Sequence, residues 1–287
     1  VPWRLILPGA VAGVIAIGWQ TIRLGSFLGL LWLFSPLLIA WLDRPVPQHP
    51  TVRARDQGFL LHEAEHIWRY FAEQLTAEHH YLPPDNIQQF PTYEVADRTS
   101  PTNIGMALLS CLAAWELGLA EEEQVTPLLG HMLDSIQKLP KWRGHLYNWY
   151  HIKTAQPLAP IFVSTVDSGN LCACLIALSQ GLREKGYSEL AEQAQALADA
   201  MEFRPLYDDQ RKLFYIGYEC ENQEFTPGRY DLMASEARLA SYVAVARGDV
   251  PVEHWASLNR SLVGRRQYCG MVSWTGTMFE YFMPQLL

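Results

Sequence analysis

The sequence predicts an all-α fold, an incomplete α/α toroid of helical hairpins, with a small β-hairpin and one or two N-terminal transmembrane helices. Three observations carry this reading. From residue 56 onward the chain is a succession of apolar-periodic segments with capping residues at their starts and short links between them. Polar segments recur at the entrances of alternate helices, at Thr99–Asn103, Thr165–Asn170, Tyr230–Ser235 and Ser273–Gly276, the first three 60 to 70 residues apart. That is the length of one helical hairpin with its loops, and it is what a toroid with one polar rim would show. Two charge-free stretches precede all of this.

Those stretches are Leu5–Ile22 and Leu24–Leu42, the second bracketed by Arg23 and Asp43. Each is long enough to cross a hydrocarbon core of roughly 30 Å at about 1.5 Å per residue. A cleaved signal peptide fits poorly, because the apolar region is too long and no small-residue cleavage site precedes Asp43. Residues 1–43 are therefore read as membrane-spanning, although Arg4, Arg23 and Arg44 are too evenly placed to orient them. Three prolines in Arg44–Val52 make residues 44–55 a linker, and residues 56–287 form the domain. The chain begins at Val1 without Met, which leads us to expect a fragment of a longer product.

Within the domain, Phe59–Thr76 is an amphipathic helix. Ser100 and Pro101 form an N-cap with proline at the first helical position, opening a helix that Gly118 ends. Glu121–Lys138 is its partner, acidic at the start and basic at the end, as the helix dipole prefers. Asp167 and Ser168 cap the next helix, which Gly186 closes, and Ser188 caps another that runs to Phe203. Tyr207–Glu219 reads as a hairpin around Asp208-Asp209-Gln210. Asp231 caps a helix running to Arg247, Asp249 and Pro251 open its partner, and Thr275 begins a last helix.

The chemistry is narrowed by elimination. The 287 residues carry a net charge of −8, which argues against nucleic acid as the main ligand. Five cysteines without regular spacing form no disulfide framework or zinc set and read as buried thiols of a reducing compartment. There is no phosphate-binding, dinucleotide, zinc-protease or nucleophile-elbow motif. His62 with His66, and His79 with His80, read as packing or solvated residues, so neither metal nor cofactor is implied.

What remains is carboxylates, amides and a generous supply of Trp and Tyr, which suits glycoside chemistry. Asp97, Asp167, Asp231, Glu236 and Glu280 are the inward candidates. Asp167 and Asp231 also read as N-caps, and Asp97 as an ion-pair partner of Arg98. On a helical period Leu232, Glu236, Leu239 and Val243 share a face, so Glu236 is a charge inside an apolar stripe. It is either half of a core ion pair or a proton donor with a raised pKa. Glu280, within an apolar and aromatic run, is the other chemical suspect. Lys141–Tyr150, with four aromatic rings in ten residues, is a plug on the domain or a wall of a cleft.

These segments resemble the cyclic β-1,2-glucan synthase family, in its middle glycoamylase-like region. The matching stretches are Tyr81–Asn86 (YLPPDN), Asp97–Gly105 (DRTSPTNIG), Arg143–Tyr150 (RGHLYNWY), Val163–Leu171 (VSTVDSGNL), Arg211–Tyr218 (RKLFYIGY), Tyr230–Tyr242 (YDLMASEARLASY) and Val272–Tyr281 (VSWTGTMFEY). The resemblance implies a bacterial inner-membrane enzyme whose toroid faces the cytoplasm and cuts and cyclises linear β-1,2-glucan with retention. It implies Glu236 as general acid/base, with the nucleophilic carboxylate past the MFEY segment, so that these 287 residues are inactive alone. Arg98, Asn103, Tyr147, Asn148, Trp149, Tyr150, Asp167, Asn170, Tyr230, Asp231, Trp274 and Glu280 would contact the glucan. Membrane lipid, an upstream glycosyltransferase domain and a downstream phosphorylase-like domain would be the partners. An endo-β-1,2-glucanase-like hydrolase and a non-catalytic membrane-tethered glucan-binding scaffold stay open as alternatives.

Overall fold

The computed structural model describes residues 9–13, 23–43, 52–265 and 267–285, in two compact units, Val1–Gly58 and Phe59–Leu287. In the smaller unit, residues 9–13 are helical and α1 spans Arg23–Leu42. The two segments touch through glycines: a Cβ on Gly13 would lie 2.8 Å from the Gly29 carbonyl oxygen. Pro36 sits inside α1 and withholds the N–H that Trp32 would otherwise receive; the Ser35 hydroxyl donates to that carbonyl at 2.8 Å instead.

Phe27, Leu31, Trp32, Phe34, Leu37, Leu38 and Trp41 of α1 are all exposed. Among the described residues, however, no helix is long and apolar enough to cross a membrane. The described side chains of α1 begin at Phe27, a stretch of roughly 24 Å against a core of roughly 30 Å. Most of the first expected span, and most of the proline-rich linker, lie outside the described residues.

Side-chain caps open only some helices of the larger unit: Ser188 and Asp249 cap none, and Thr277 in place of Thr275 caps the last. After α2 (Ala54–Gln74), α3 (Pro101–Glu116) opens with Pro101 at its first position and the Ser100 side chain accepting from the Asn103 amide. A capping box of Glu121 and Gln124 starts α4 (Glu122–Lys138). Next come α5 (Thr165–Glu184) and α6 (Ser188–Asp199). The cap of α5 is Ser164, whose hydroxyl accepts from the Asp167 amide at 3.2 Å, so neither Asp167 nor Ser168 plays that part. The later helices are α7 (Arg238–Ala246), the short α8 (Glu253–Ser257) and α9 (Met278–Phe282).

The centre of the unit is α5, which packs against α3, α6 and α7. Its sides are apolar: Leu171, Leu175, Leu178 and Leu182 join Ile104 and Leu108 of α3 in one buried cluster. Two glycines let the N-terminal halves of these helices approach closely. A Cβ on Gly169 would fall 2.2 Å from the Cβ of Ala240, and one on Gly105 would fall 2.9 Å from the Cys174 sulfur, both impossible without displacement. The first turns of α3 and α5 and the start of α7 therefore converge.

The β content exceeds the single expected hairpin. β1 (Ile87–Gln88) pairs with β2 (Glu94–Val95). β3 (Arg98–Thr99), β4 (Asn148–His151) and β5 (Pro157–Ser164) belong to a five-stranded antiparallel sheet. That sheet is completed by β8 (Gly217–Glu219) and β9 (Glu224–Phe225), in the order β3-β4-β5-β8-β9. The expected hairpin is present as β6 (Tyr207–Asp208) and β7 (Leu213–Tyr215), and β10 (Arg229–Tyr230) adds a third strand to it. A last hairpin joins β11 (Leu262–Arg265) to β12 (Tyr268–Met271). The aromatic segment Lys141–Tyr150 thus runs into strand β4, because its backbone groups find partners in β3 and β5.

Strand β10 also corrects the expected helix from Asp231. Tyr230 pairs with Phe214 and Leu232 bridges to Asn259, so the chain stays extended and bent until α7 begins at Arg238. Asp231 is exposed and caps nothing, its backbone carbonyl accepting from the Asn259 amide.

Candidate active site

At the convergence of the three helix starts, polar side chains are linked in series. Asn170, fully buried, donates from Nδ2 to the Thr102 hydroxyl at 3.0 Å, and that hydroxyl donates to Asp167 Oδ1 at 2.7 Å. The series ties the first turn of α3 to that of α5 and fixes one oxygen of Asp167. Asn170 Oδ1 is buried without a partner among the described residues.

Glu236 faces this cluster from the turn between β10 and α7. It is half-buried, and its carboxyl pKa is pushed up to about 7, first by burial, then by the negative charges of Asp167 and Glu280. No hydrogen bond to the carboxylate offsets these effects, and no arginine pairs with it among the described residues. The core-ion-pair reading is therefore not what the structure supports. Burial pushes up the Tyr230 hydroxyl as well, with Glu236 and then Asp167 adding to it.

Glu280 sits beside Glu236 in the opposite electrostatic state. Its carboxylate is 8% exposed and accepts from the hydroxyls of Ser273 (3.1 Å) and Thr275 (2.7 Å) and the amides of Trp274 (3.1 Å), Thr275 (3.0 Å) and Thr277 (3.2 Å). Burial alone would raise its pKa, but these donors, led by Thr275, hold it down at about 2. It is a fixed anion that folds the Ser273–Thr277 loop around itself and presents Trp274, half-exposed, edge-on to Tyr230 at 6.4 Å between ring centres.

Two carboxyl groups with opposed environments, one holding its proton near neutrality and one permanently ionised, are an acid–base arrangement. The remaining site candidates fall elsewhere. Arg98 and Asn103 meet around Asp85, and Trp149 stacks on the Arg98 guanidinium at 4.6 Å. Tyr147, just before β4, and Asn148 and Trp149 within it are half-buried. Tyr150 is fully buried: its hydroxyl donates to the Pro140 carbonyl at 2.5 Å and accepts from the Tyr147 amide, which makes it a loop anchor in the core, not a cleft wall. Asp97 pairs with Lys153 at 3.2 Å, leaving Arg98 to Asp85. Thr102 and Asp85, both inside stretches that carry the family resemblance, were not among the sequence candidates.

The fold is similar to that of glucoamylase-like helical-hairpin proteins. Over 83% of its length it superimposes on a glucoamylase-like protein from Bacteroides fragilis, covering 60% of that chain with a TM-score of 0.63 at 15% identity. Similar is the endo-β-1,2-glucanase of Chitinophaga pinensis, solved with sophorotriose and glucose, at a TM-score of 0.62 and 14% identity over 75% of this chain and 54% of that one. In sequence the chain is similar to the cyclic β-(1,2)-glucan synthase NdvB of Rhizobium meliloti (strain 1021), 29% identical over 393 residues that take in 92% of this chain. It spans 14% of that relative's length. The alignment is longer than the 287 residues of this chain, so the relative carries residues within the matched stretch that have no counterpart here. No protein-family model matches the chain.

Proposed function

We propose that the chain is part of an enzyme that breaks and rejoins linear β-1,2-glucan, with Glu236 as the general acid/base. The single observation that carries the reading is the Glu236 carboxyl, free of hydrogen bonds, with a pKa pushed to about 7 at the meeting point of three helix starts. A group that is half protonated at neutral pH can give a proton to a departing glycosidic oxygen and take one from the incoming hydroxyl. The similarity to a cyclic β-(1,2)-glucan synthase supports the substrate class. The helical hairpins are then the inner and outer layers of an α/α toroid, and their converging entrances form its rim. Trp274, Tyr230 and Asn170 contact sugar there.

A retaining double displacement needs a second free carboxylate about 5 Å from the acid. Glu280 is saturated by donors and Asp167 is engaged by Thr102. We place the nucleophile outside the described residues, and the glycosyltransferase and phosphorylase-like partners in the same longer protein. Incubating the full-length enzyme with linear β-1,2-glucan and separating products by mass tests the reading. Cyclic products lacking the mass of one water establish transglycosylation; shortened linear chains sink it in favour of hydrolysis, and binding without turnover in the full-length enzyme sinks it in favour of a scaffold.

The apolar exposure of α1 supports a membrane anchor in residues 1–43, with the larger unit in the cytoplasm of a bacterium. Flotation with lipid vesicles checks the anchor: the 287-residue chain is expected to rise with the vesicles and a chain starting at residue 52 to stay in the bottom fraction. Equal distribution of the two would remove the anchor.

A further inference from the structure

We propose that Asp85 is a positioning residue that makes the pocket beside the entrance of α3 a recognition site for one glucosyl unit; this rests on the glucan reading above. The pocket has a volume of about 240 Å³ and is lined by Tyr70, Phe71, Pro84, Asp85, Asn86 and Asn103, among others. Sites for drug-sized ligands begin at roughly 300 Å³, so this one admits a single sugar ring in place of a chain. Its aromatic and proline carbons suit the C–H face of a pyranose. The Tyr70 hydroxyl pins that wall by donating to the Pro84 carbonyl at 2.6 Å.

The polar side is organised by one carboxylate. Asp85 Oδ1 accepts from Asn103 Nδ2 at 3.0 Å, and Oδ2 accepts from Asn86 Nδ2 at 3.0 Å and from Arg98 Nη2 at 3.1 Å. A carboxylate only accepts, so both amides must turn an N–H toward it. Each is then left with its carbonyl oxygen and one N–H facing away from Asp85. Neighbouring hydroxyls on a sugar ring, which donate and accept at once, match that arrangement.

Arg98 is held from two directions by the same design. Asp85 takes its edge and the Trp149 ring its face, at 4.6 Å, while Nη1 keeps no protein partner among the described residues. Arg98 is not in the pocket lining; pinned in this way it buttresses the Asp85 carboxylate from behind. Asp85, itself mostly covered, thus sets donor and acceptor polarity for the two amides while it holds the Arg98 guanidinium.

Calorimetric titration of the 287-residue chain with sophorose, laminaribiose and cellobiose tests the assignment, alongside thermal unfolding. Asp85→Asn removes the charge and turns one of the two acceptor oxygens into a donor, so one amide loses its fixed orientation; it is expected to weaken sophorose binding at least tenfold while shifting the unfolding midpoint by less than about 3 °C. Asn103→Ala, which leaves the Asp85–Arg98 pair intact, is expected to weaken binding as well and serves as the test should Asp85→Asn fail to fold. Unchanged sophorose affinity in a folded Asp85→Asn chain overturns the inference and leaves the glucan reading standing. Asp85-dependent binding of laminaribiose or cellobiose, with none of sophorose, upholds the pocket and overturns the β-1,2 reading.

Discussion

Glu236→Gln is expected to lower the rate of glycosidic bond cleavage in the full-length enzyme by 10²–10⁴-fold, the usual worth of a positioned general acid, while leaving glucan affinity within a few-fold. The amide keeps the size and shape of the side chain, so the convergence of helix starts stays intact and only the transferable proton is lost. The wild-type enzyme should show the matching pH dependence. With the Glu236 carboxyl at about 7, the protonated fraction falls tenfold per unit above that value, and kcat/KM in the step needing the acid falls with it. A variant retaining more than a tenth of wild-type turnover, or an alkaline limb near pH 9, would remove Glu236 from the role.

The unusual setting of Glu236 was legible in the sequence, though through a partly mistaken picture. A glutamate among Leu232, Leu239 and Val243 announces a charge in apolar surroundings, and Leu239 and Val243 are indeed buried. The helix that was to carry it starts only at Arg238, because Tyr230 is drawn into a strand by Phe214, whose position in the chain lies outside any local window: the pairing is tertiary. The cap at Ser100 and the acidic first turn after Glu121 were legible because their chemistry is local, within one turn. The five-stranded sheet was not. Three of its strands are two or three residues long, and β5 contains Pro157 and Pro160, which read as breakers. Asp85 was invisible for a similar reason: a carboxylate between Pro84 and Asn86 shows no periodicity, and only the fold brings Arg98 and Asn103 to it.

The same carboxyl that is useful to chemistry is expected to weaken the fold at neutral pH. Folded, Glu236 holds its proton up to about 7; unfolded, it loses it near the ordinary value of 4.5. The folded state therefore binds more protons between those values, and stability is greatest below pH 4.5 as far as this group is concerned and declines as pH rises toward 7. The total is about 3 kcal/mol, and the partial exposure of the side chain makes that an upper figure. Glu236→Gln carries no such proton, so its stability relative to wild type should be near zero difference at pH 4 and favour the variant by about 2–3 kcal/mol at pH 8. Urea unfolding of both proteins across that range measures it, and parallel curves would show that Glu236 ionises at no cost. A variant that gains stability where it loses turnover identifies the buried, unpaired carboxyl as a site held against the preference of the fold, which a merely structural glutamate would not be.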